Sequence, residues 1–209
     1  RGKGMSALDQ GNLAHHLLEK LDFSALPEIQ RPACEQLAPF LVSDPADKAV
    51  TGVINDIMTF AASPLARAFG SSRLLREHPF TLKLKGKADY YIRGAMDLVA
   101  ITDARAAVYD YKYLRREDAD LEGYRFQIRT YMLVLARAFP EKEIGGKLLF
   151  LRGGDVEPVI CDFAGFEKEL LEIMDAVRER SGETEFLLRD GCDGSHCPFR
   201  QRCMTPSLA

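Results

Sequence analysis

The chain has 209 residues, and its 28 Lys and Arg against 31 Asp and Glu give a formal net charge of −3 at pH 7. A hydrophobic fraction of 46% is typical of a globular protein and excludes intrinsic disorder, and no apolar run is long enough for a membrane span. The weakly acidic balance excludes a protein whose whole surface is basic. It is compatible with a local basic groove beside metal-binding carboxylates.

The apolar spacing changes along the chain from helical to strand-like and back. It predicts helices over residues 11–22, 33–42, 46–61, 120–139 and 165–180, with a short helix opened by Pro64. It predicts strands over residues 81–85, 88–102, 106–114, 147–151 and 156–163. Pro27, Pro32 and residues 43–45 are expected to separate the N-terminal helices. This order indicates an α/β (α+β) protein with one mixed central sheet flanked by helices.

The domain organisation follows from the same pattern. We expect one domain over residues 1–190, with an N-terminal helical part over 8–70 and a core over 71–163, and then a cysteine-rich tail over 191–209. The chain begins at Arg1 rather than Met, which suggests a tagged protein or a piece of a longer one. Since the sequence shows no charged-then-apolar signal, we expect a cytoplasmic protein.

Two acidic residues are predicted to meet across a hairpin. A tight turn at Asp103-Ala104 would pair Thr102 with Arg105, and the same register brings Asp97 directly opposite Asp110. Side chains at such a pair are about 4.5–5.5 Å apart. Two carboxylates that close repel each other unless a cation lies between them, and oxygen ligands suit Mg²⁺ or Mn²⁺.

Lys112 follows Asp110 by two residues and should face the same side of the strand. Beside two carboxylates and a metal, its ammonium could orient a water nucleophile or stabilise developing phosphate charge. The alternative is a solvent-exposed hairpin face on which Asp110 and Lys112 form a weak pair. Tyr109 and Tyr111, on the opposite face, favour a buried strand, in which unpaired charges are costly.

This hairpin resembles the PD-(D/E)xK nucleases, and more narrowly the RecB/AddA-like nuclease domains of helicase–nucleases. Five motifs match in the family's order over residues 11–160. They are G-x-x-x-H with Gly11 and His15, R-E-x-P-F with Glu77, G-x-x-D-L-V with Asp97, D-x-K with Asp110 and Lys112, and Y-x-x-Q-x-x-x-Y with Tyr124, Gln127 and Tyr131. Tyr113 stands where the family commonly has Thr, and His16 adjoins His15.

The resemblance implies a restriction-endonuclease-like fold and a metal-dependent DNA nuclease of the exonuclease type, as the C-terminal nuclease domain of a helicase–nuclease. It implies that Asp97, Asp110 and His15 hold one or two Mg²⁺ or Mn²⁺ ions, with Glu77 assisting. A histidine ligand would favour Mn²⁺ somewhat over Mg²⁺. Lys112 would position a water or help to deprotonate it, and the products would carry a 5′-phosphate and a 3′-hydroxyl.

The implied substrate is single-stranded DNA, or duplex ends after unwinding, in double-strand break repair and recombination. The sequence contains no G-x-x-x-x-G-K-[ST] loop, so a helicase motor would lie on another part of the polypeptide or on a partner. Two other functions stay open: a non-catalytic DNA-binding or scaffold module whose nuclease fold has lost activity, and a stand-alone exonuclease without a motor.

Several candidate residues also have plain structural interpretations. His15 and Glu77 could be an ordinary packed histidine and a strand-edge charge. Tyr124, Gln127 and Tyr131 share one helical stripe, which could line the site or serve core packing. Arg125 and Arg129 on its flanks would suit a DNA backbone, and Arg115-Arg116 could steer a phosphate or be surface charge.

Three cysteines close together near the C-terminus suggest a metal clamp. Cys192, Cys197 and Cys203 resemble part of the iron–sulfur staple of AddB-like nucleases, in which a fourth cysteine completes a [4Fe–4S] cluster. Cys34, or a cysteine upstream of Arg1, is the candidate for that fourth ligand. The alternatives are a zinc site that adds His196 or Cys161, and three reduced cysteines without metal; a buried apolar role is favoured for Cys161.

Overall fold

The computed structural model describes residues 4–180. Four N-terminal helices come first: α1 (Ala7–Lys20), α2 (Pro27–Leu37), α3 (Lys48–Ala61) and α4 (Pro64–Phe69). Strands β1 (Arg73–Lys85), β2 (Asp89–Ile101) and β3 (Arg105–Lys112) follow, then helix α5 (Leu121–Ala138). The described part ends with β4 (Glu143–Phe150), β5 (Asp155–Val159) and helix α6 (Phe163–Arg180), and two single 3₁₀ turns cover Ala38–Phe40 and Arg116–Asp118.

The five strands form one sheet in the order β1-β2-β3-β4-β5. Strands β3 and β4 are parallel because α5 connects them, and the other neighbouring pairs are antiparallel. The predicted mixed central sheet flanked by helices is therefore confirmed. The predicted hairpin register is also confirmed, since Leu98 pairs with Tyr109 and Ile101 pairs with Ala106.

Helices cover both faces of the sheet. Helices α1–α4, which we call the N-terminal layer, pack on one face through Leu17, Ile57 and Phe69 against strand residues such as Leu98 and Tyr109. Helices α5 and α6, the second layer, pack on the other face. The core thus has two sides, and the sheet between them carries the candidate site. No helix among residues 4–180 is long and apolar enough to cross a membrane.

The alternation of side chains along β2 breaks at Asp97. Met96 and Val99 pack in the second layer, whereas Leu98 and Ala100 pack in the N-terminal layer. In a regular strand Met96 and Leu98 would share one face, so the phase shifts by one residue between them. Because of this irregularity, the carboxylate of Asp97 does not pack into either apolar layer.

Strand β1 changes phase at the position opposite. Leu74 packs in the N-terminal layer, whereas Leu82 and Leu84 pack against the second layer, although regular alternation would put all three on one face. Between them Glu77 has a φ of +45°, an uncommon conformation for a residue other than glycine. The side chains of both strands therefore change face at the same level of the sheet. As a result, Glu77 and Asp97 both lie close to His15.

Three sequence predictions need correction. Pro32 does not separate two helices but lies inside α2. Its missing N–H leaves the carbonyl of Glu28 without a helical partner, and both residues are exposed, where water can replace that hydrogen bond. Strand β1 begins at Arg73 rather than at residue 81 because the phase change at Glu77 hides the alternation of its first half.

Strand β4 begins at Glu143 rather than at residue 147, because its two glycines conceal it. A Cβ atom on Gly146 would lie 2.6 Å from Ile128 and from Met132 of α5. Glycine is therefore needed there for close packing of helix on strand, although it usually weakens a strand prediction.

Candidate active site

The candidate site lies where β2 and β3 separate. Their backbone pairing ends at Leu98 and Tyr109, one position before Asp97 and Asp110. Beyond that point the backbone N–H of Tyr111 donates to Asp97 Oδ2 at 2.8 Å. The Asp97 carboxylate thus accepts the hydrogen bond that the backbone of a paired strand would otherwise accept. This hydrogen bond holds Oδ2 of Asp97 in a fixed position.

His15 reaches this position from α1. Ser6 begins that helix by accepting the N–H of Asp9, and Leu13, Leu17 and Leu18 anchor it in the N-terminal layer. His15 Nε2 lies 3.0 Å from the carbonyl oxygen of Tyr111. Because a carbonyl oxygen can only accept, Nε2 carries the hydrogen, and in the neutral ring the lone pair of Nδ1 is free to bind a metal.

The free nitrogen of His15 faces two carboxylates. Nδ1 lies 3.6 Å from Asp97 Oδ2 and 3.9 Å from Glu77 Oε1. One ligand atom from each of the three residues lies within 4.8 Å of the others. The structure therefore brings together His15, Glu77 and Asp97, three of the residues that the sequence motifs single out.

Asp110 and Lys112 lie beside this group on β3, but Asp110 is not one of the three residues whose ligand atoms lie within 4.8 Å of one another. The Asp110 side chain is 1% exposed, and its Oδ2 forms an ion pair with Lys112 Nζ at 2.6 Å. Oδ1 of Asp110 has no hydrogen-bond partner among the described residues. A buried carboxylate oxygen without a partner is costly, which argues against an ordinary exposed pair and for a ligand at this position.

The electrostatics of the two aspartates favour a cation. Burial, together with the nearby Asp110, raises the pKa of Asp97 to about 7, against the opposing effect of His15. Burial also raises the pKa of Asp110, against the attraction of Lys112. A divalent ion between these groups would remove their repulsion, and carboxylate oxygens with one imidazole nitrogen are ligands that Mg²⁺ and Mn²⁺ accept. The residues present thus fit such an ion.

Helix α5 holds Lys112 in place. Lys112 Nζ donates to Gln127 Oε1 at 3.2 Å, and Gln127 Nε2 donates to the hydroxyl of Tyr131 at 2.6 Å. The ammonium also lies 4.4 Å from the ring centre of Tyr124. The stripe of Tyr124, Gln127 and Tyr131 therefore contacts the candidate site as well as packing in the core.

The basic residues expected near a DNA backbone are engaged elsewhere. Arg116 donates two hydrogen bonds to Glu157, at 3.0 and 2.8 Å, and Arg125 also pairs with Glu157. Arg129 lies 3.6 Å from Glu169, over the ring of Phe166. Each of Arg116, Arg125 and Arg129 thus pairs with an acidic residue distant in sequence, and Glu157 alone serves the first two. Their contact with a phosphate stays a prediction.

The cysteine predictions fall mostly outside the described residues. Cys192, Cys197, Cys203 and His196 lie beyond residue 180. Cys34 is buried in the N-terminal layer, and burial raises the pKa of its thiol. Cys161 is half-buried rather than fully buried, and burial raises the pKa of its thiol to about 11. The cluster and its fourth ligand stay predictions.

Two features of the site have no counterpart in the sequence reasoning. The backbone of Tyr111 holds both Asp97 and His15, a role for which no side-chain motif exists. Tyr113 donates its hydroxyl hydrogen to Asp56 of α3 at 2.8 Å, which ties the end of β3 to the N-terminal layer. The departure from the family pattern at Tyr113 is the one signal that pointed to this residue.

Comparisons with known proteins agree with this geometry. The family model of the PD-(D/E)XK nuclease superfamily matches residues 2–204. The chain is 27% identical over 158 residues to an ATP-dependent helicase/nuclease subunit of Streptococcus pneumoniae strain CGSP14, a match that covers 71% of this chain and 13% of that protein. It is 26% identical, with the same coverage, to exonuclease/helicase subunit RexA of Streptococcus pneumoniae strain TIGR4.

A solved structure extends the agreement to the fold. A protein from Eubacterium rectale, described as a "Putative exonuclease", superposes with a TM-score of 0.57 at 15% identity and covers 100% of this chain and 79% of that one. The chain spans 13% of the length of the two curated relatives above, so the comparison concerns one part of those proteins. On the family match, the chain belongs to the PD-(D/E)XK nuclease superfamily.

Proposed function

We propose that this chain is a divalent-metal-dependent DNA nuclease domain that hydrolyses phosphodiester bonds of single-stranded DNA, releasing 5′-phosphate and 3′-hydroxyl ends. The observation that carries the proposal is the carboxylate of Asp110, which is almost fully buried and leaves Oδ1 without a partner in the described part of the chain. A fold that had lost its metal would have little reason to keep such a group beside Asp97.

In this proposal, His15 Nδ1, Asp97 and Asp110 hold the ion, and Glu77 assists from the open side of the site. A divalent ion supplies positive charge that polarises a phosphate oxygen and acidifies a water molecule. Tyr111 keeps Asp97 and His15 oriented through its N–H and its carbonyl. Lys112, held by Gln127 and shielded by Tyr124, orients the attacking water and offsets charge that develops on the phosphate.

The relatives support the wider context of the proposal. Their names combine a helicase with a nuclease, and the matched region is a small part of each protein. We infer that this chain is the nuclease part of a comparable helicase–nuclease, that a motor elsewhere on the polypeptide or on a partner feeds it single-stranded DNA, and that it acts in the cytoplasm in double-strand break repair.

The C-terminal cysteines complete the proposal. Residues 1–190 would form the nuclease domain, and the tail over 191–209 would hold a [4Fe–4S] cluster through Cys192, Cys197 and Cys203, with Cys34 or an upstream cysteine as fourth ligand. Zinc, with His196 or Cys161 as a ligand, is the competing occupant. Absorbance near 400 nm in anaerobically purified protein identifies the cluster, and colourless protein that contains stoichiometric zinc identifies the alternative.

The test of the catalytic proposal is digestion of labelled single-stranded DNA in Mn²⁺. We expect the wild-type chain to cleave, Asp110→Ala to be inactive, and Asp103→Ala to match the wild type. Asp103 is a suitable control because it lies in the turn of the same hairpin and is exposed. Equal digestion by the wild type and Asp110→Ala would overturn the proposal, and binding without digestion would favour the inactive module.

A further inference from the structure

The hairpin of β1 and β2 continues beyond the candidate site as a two-stranded ribbon. One side of this ribbon, formed by Leu82, Leu84 and Tyr90, packs against the second layer. The other side, which we call the ribbon face, consists of Thr81, Lys83, Lys85, Asp89, Tyr91 and Arg93, all of them exposed. It lies on the same side of the sheet as α1, and no described helix covers it.

The ribbon face is basic and carries one exposed aromatic ring. Tyr91 is 53% exposed. Lys85 and Arg93 have no ion-pair partner among residues 4–180, and Lys83, which pairs with Asp89, lies with its ammonium 5.5 Å from the ring centre of Tyr91. Cations around one solvent-facing ring are the combination with which proteins track the phosphates of an unpaired strand and stack its bases.

The ribbon face is continuous with the candidate site. Arg93 and Tyr91 precede Asp97 on the same strand by four and six residues, which at the rise of a β-strand is about 13 and about 20 Å. An open cleft of about 340 Å³, lined by residues that include His15 and Glu77, lies at the near end. A polymer whose phosphate lies in this cleft can therefore extend along the ribbon without crossing a helix.

We propose that the ribbon face binds the single-stranded DNA that adjoins the scissile phosphate, with a base stacked on Tyr91 and phosphates beside Arg93 and Lys85. This proposal rests on the proposed function and adds the path that the DNA strand takes to the candidate site. Stacking on a lone ring requires an unpaired base, which favours a single strand over a duplex. A protein partner fits less well, because the face is charged and has no contiguous apolar patch.

The test measures binding of the full chain to labelled oligodeoxythymidylate by fluorescence anisotropy in EDTA, where no metal-dependent cleavage can occur. We expect Tyr91→Ala to weaken binding about fivefold or more, as loss of one stacked base does, and Tyr91→Phe to bind normally. Arg93→Glu should weaken binding and flatten the salt dependence of the affinity, whereas Tyr91→Ala should leave that slope unchanged.

Arg73→Glu is the matched control. Arg73 is exposed, has no ion-pair partner in the described part of the chain, and lies four residues from Glu77 toward the other end of the same two strands. It should bind like the wild type. Equal affinities for Arg73→Glu, Arg93→Glu and Tyr91→Ala, or no binding by the wild type, would overturn the inference. Cleavage in Mn²⁺ by the wild type is scored separately, so the proposed function can stand when the ribbon inference fails.

Discussion

His15 donates its Nε2 hydrogen to the carbonyl oxygen of Tyr111, the residue between Asp110 and Lys112 on β3. This contact joins the first helix of the chain to the strand that carries the buried carboxylate. It fixes the tautomer of the imidazole, so that Nδ1 faces Asp97 and Glu77 with a free lone pair. The neighbouring His16 instead contacts the carbonyl of Asn12 in its own helix and is exposed.

The contrast between the two histidines gives a first prediction. His15→Gln should raise the Mn²⁺ concentration needed for half-maximal activity by about tenfold or more, because a ligand to the ion is weakened. His16→Gln should leave this concentration unchanged. A titration of activity against Mn²⁺ measures both variants, and the reverse ranking would show that the wrong histidine has been assigned.

A second prediction concerns the chain of contacts from Lys112 to Tyr131. Lys112→Met should lower kcat about 100-fold or more, because it removes charge from the site, and Gln127→Ala should lower kcat about tenfold with little change in KM, because the ammonium is left less well positioned. Tyr124→Phe keeps the ring against Lys112 and should be nearly silent. A Gln127→Ala variant that changes KM alone would place Gln127 in substrate binding instead.

The raised pKa of Asp97 makes the stability of the metal-free chain depend on pH. An Asp carboxyl titrates near pH 4 in the unfolded chain, whereas burial and Asp110 raise the pKa of Asp97 to about 7 in the folded chain. The folded state therefore holds this proton more tightly, and the stabilisation is present below about pH 4 and lost as the pH rises from about 4 to about 7.

Thermal unfolding measures this effect. In EDTA, Tm should fall between pH 5 and pH 8, and Mn²⁺ should raise Tm more at pH 8 than at pH 5, because the ion binds the ionised carboxylates. Asp97→Asn should stabilise the metal-free chain at pH 8 and reduce the Mn²⁺ effect. A Tm that rises with pH in EDTA, or an unchanged response in Asp97→Asn, would contradict this assignment.

Arg116 should contribute to stability rather than to DNA binding. Its guanidinium makes two hydrogen bonds to Glu157, which is largely buried and also binds Arg125. Arg116→Ala should lower Tm by about 2 °C or more, whereas Arg115→Ala, whose side chain is exposed at 3.8 Å from Glu117, should not. Neither variant should change the affinity for single-stranded DNA. A loss of binding in Arg116→Ala alone would show instead that Arg116 steers a phosphate of the DNA.

The register of the central hairpin could be predicted because it depends on local chemistry. A short polar turn at Asp103 sets the pairing, because the length of a hairpin turn fixes which residues of the two strands lie opposite each other. The hairpin register and the alternation of side chains along a strand likewise predicted that Asp97 lies near Asp110 and that Lys112 lies beside them. Sequence order and motif spacing were therefore enough to gather the candidate ligands.

The remaining features depend on contacts between residues far apart in sequence. The φ of +45° at Glu77 has no signature in the residue type, because a glutamate gives no sign that its strand changes phase there. Glu157 lies 41 residues from Arg116, and no motif connects them. The ion pairs of these basic residues could therefore not be predicted, because their partners come close only when the sheet and its helices assemble.

The most direct test of the account is the position of a bound ion. Anomalous diffraction from a crystal of the full chain soaked in MnCl₂ would locate manganese without reference to activity. We expect a peak in contact with His15 Nδ1, Asp97 and Asp110, with Asp110 Oδ1 among the ligands. A peak that avoids Asp110, or manganese bound at other positions while these three side chains stay without it, would contradict the account.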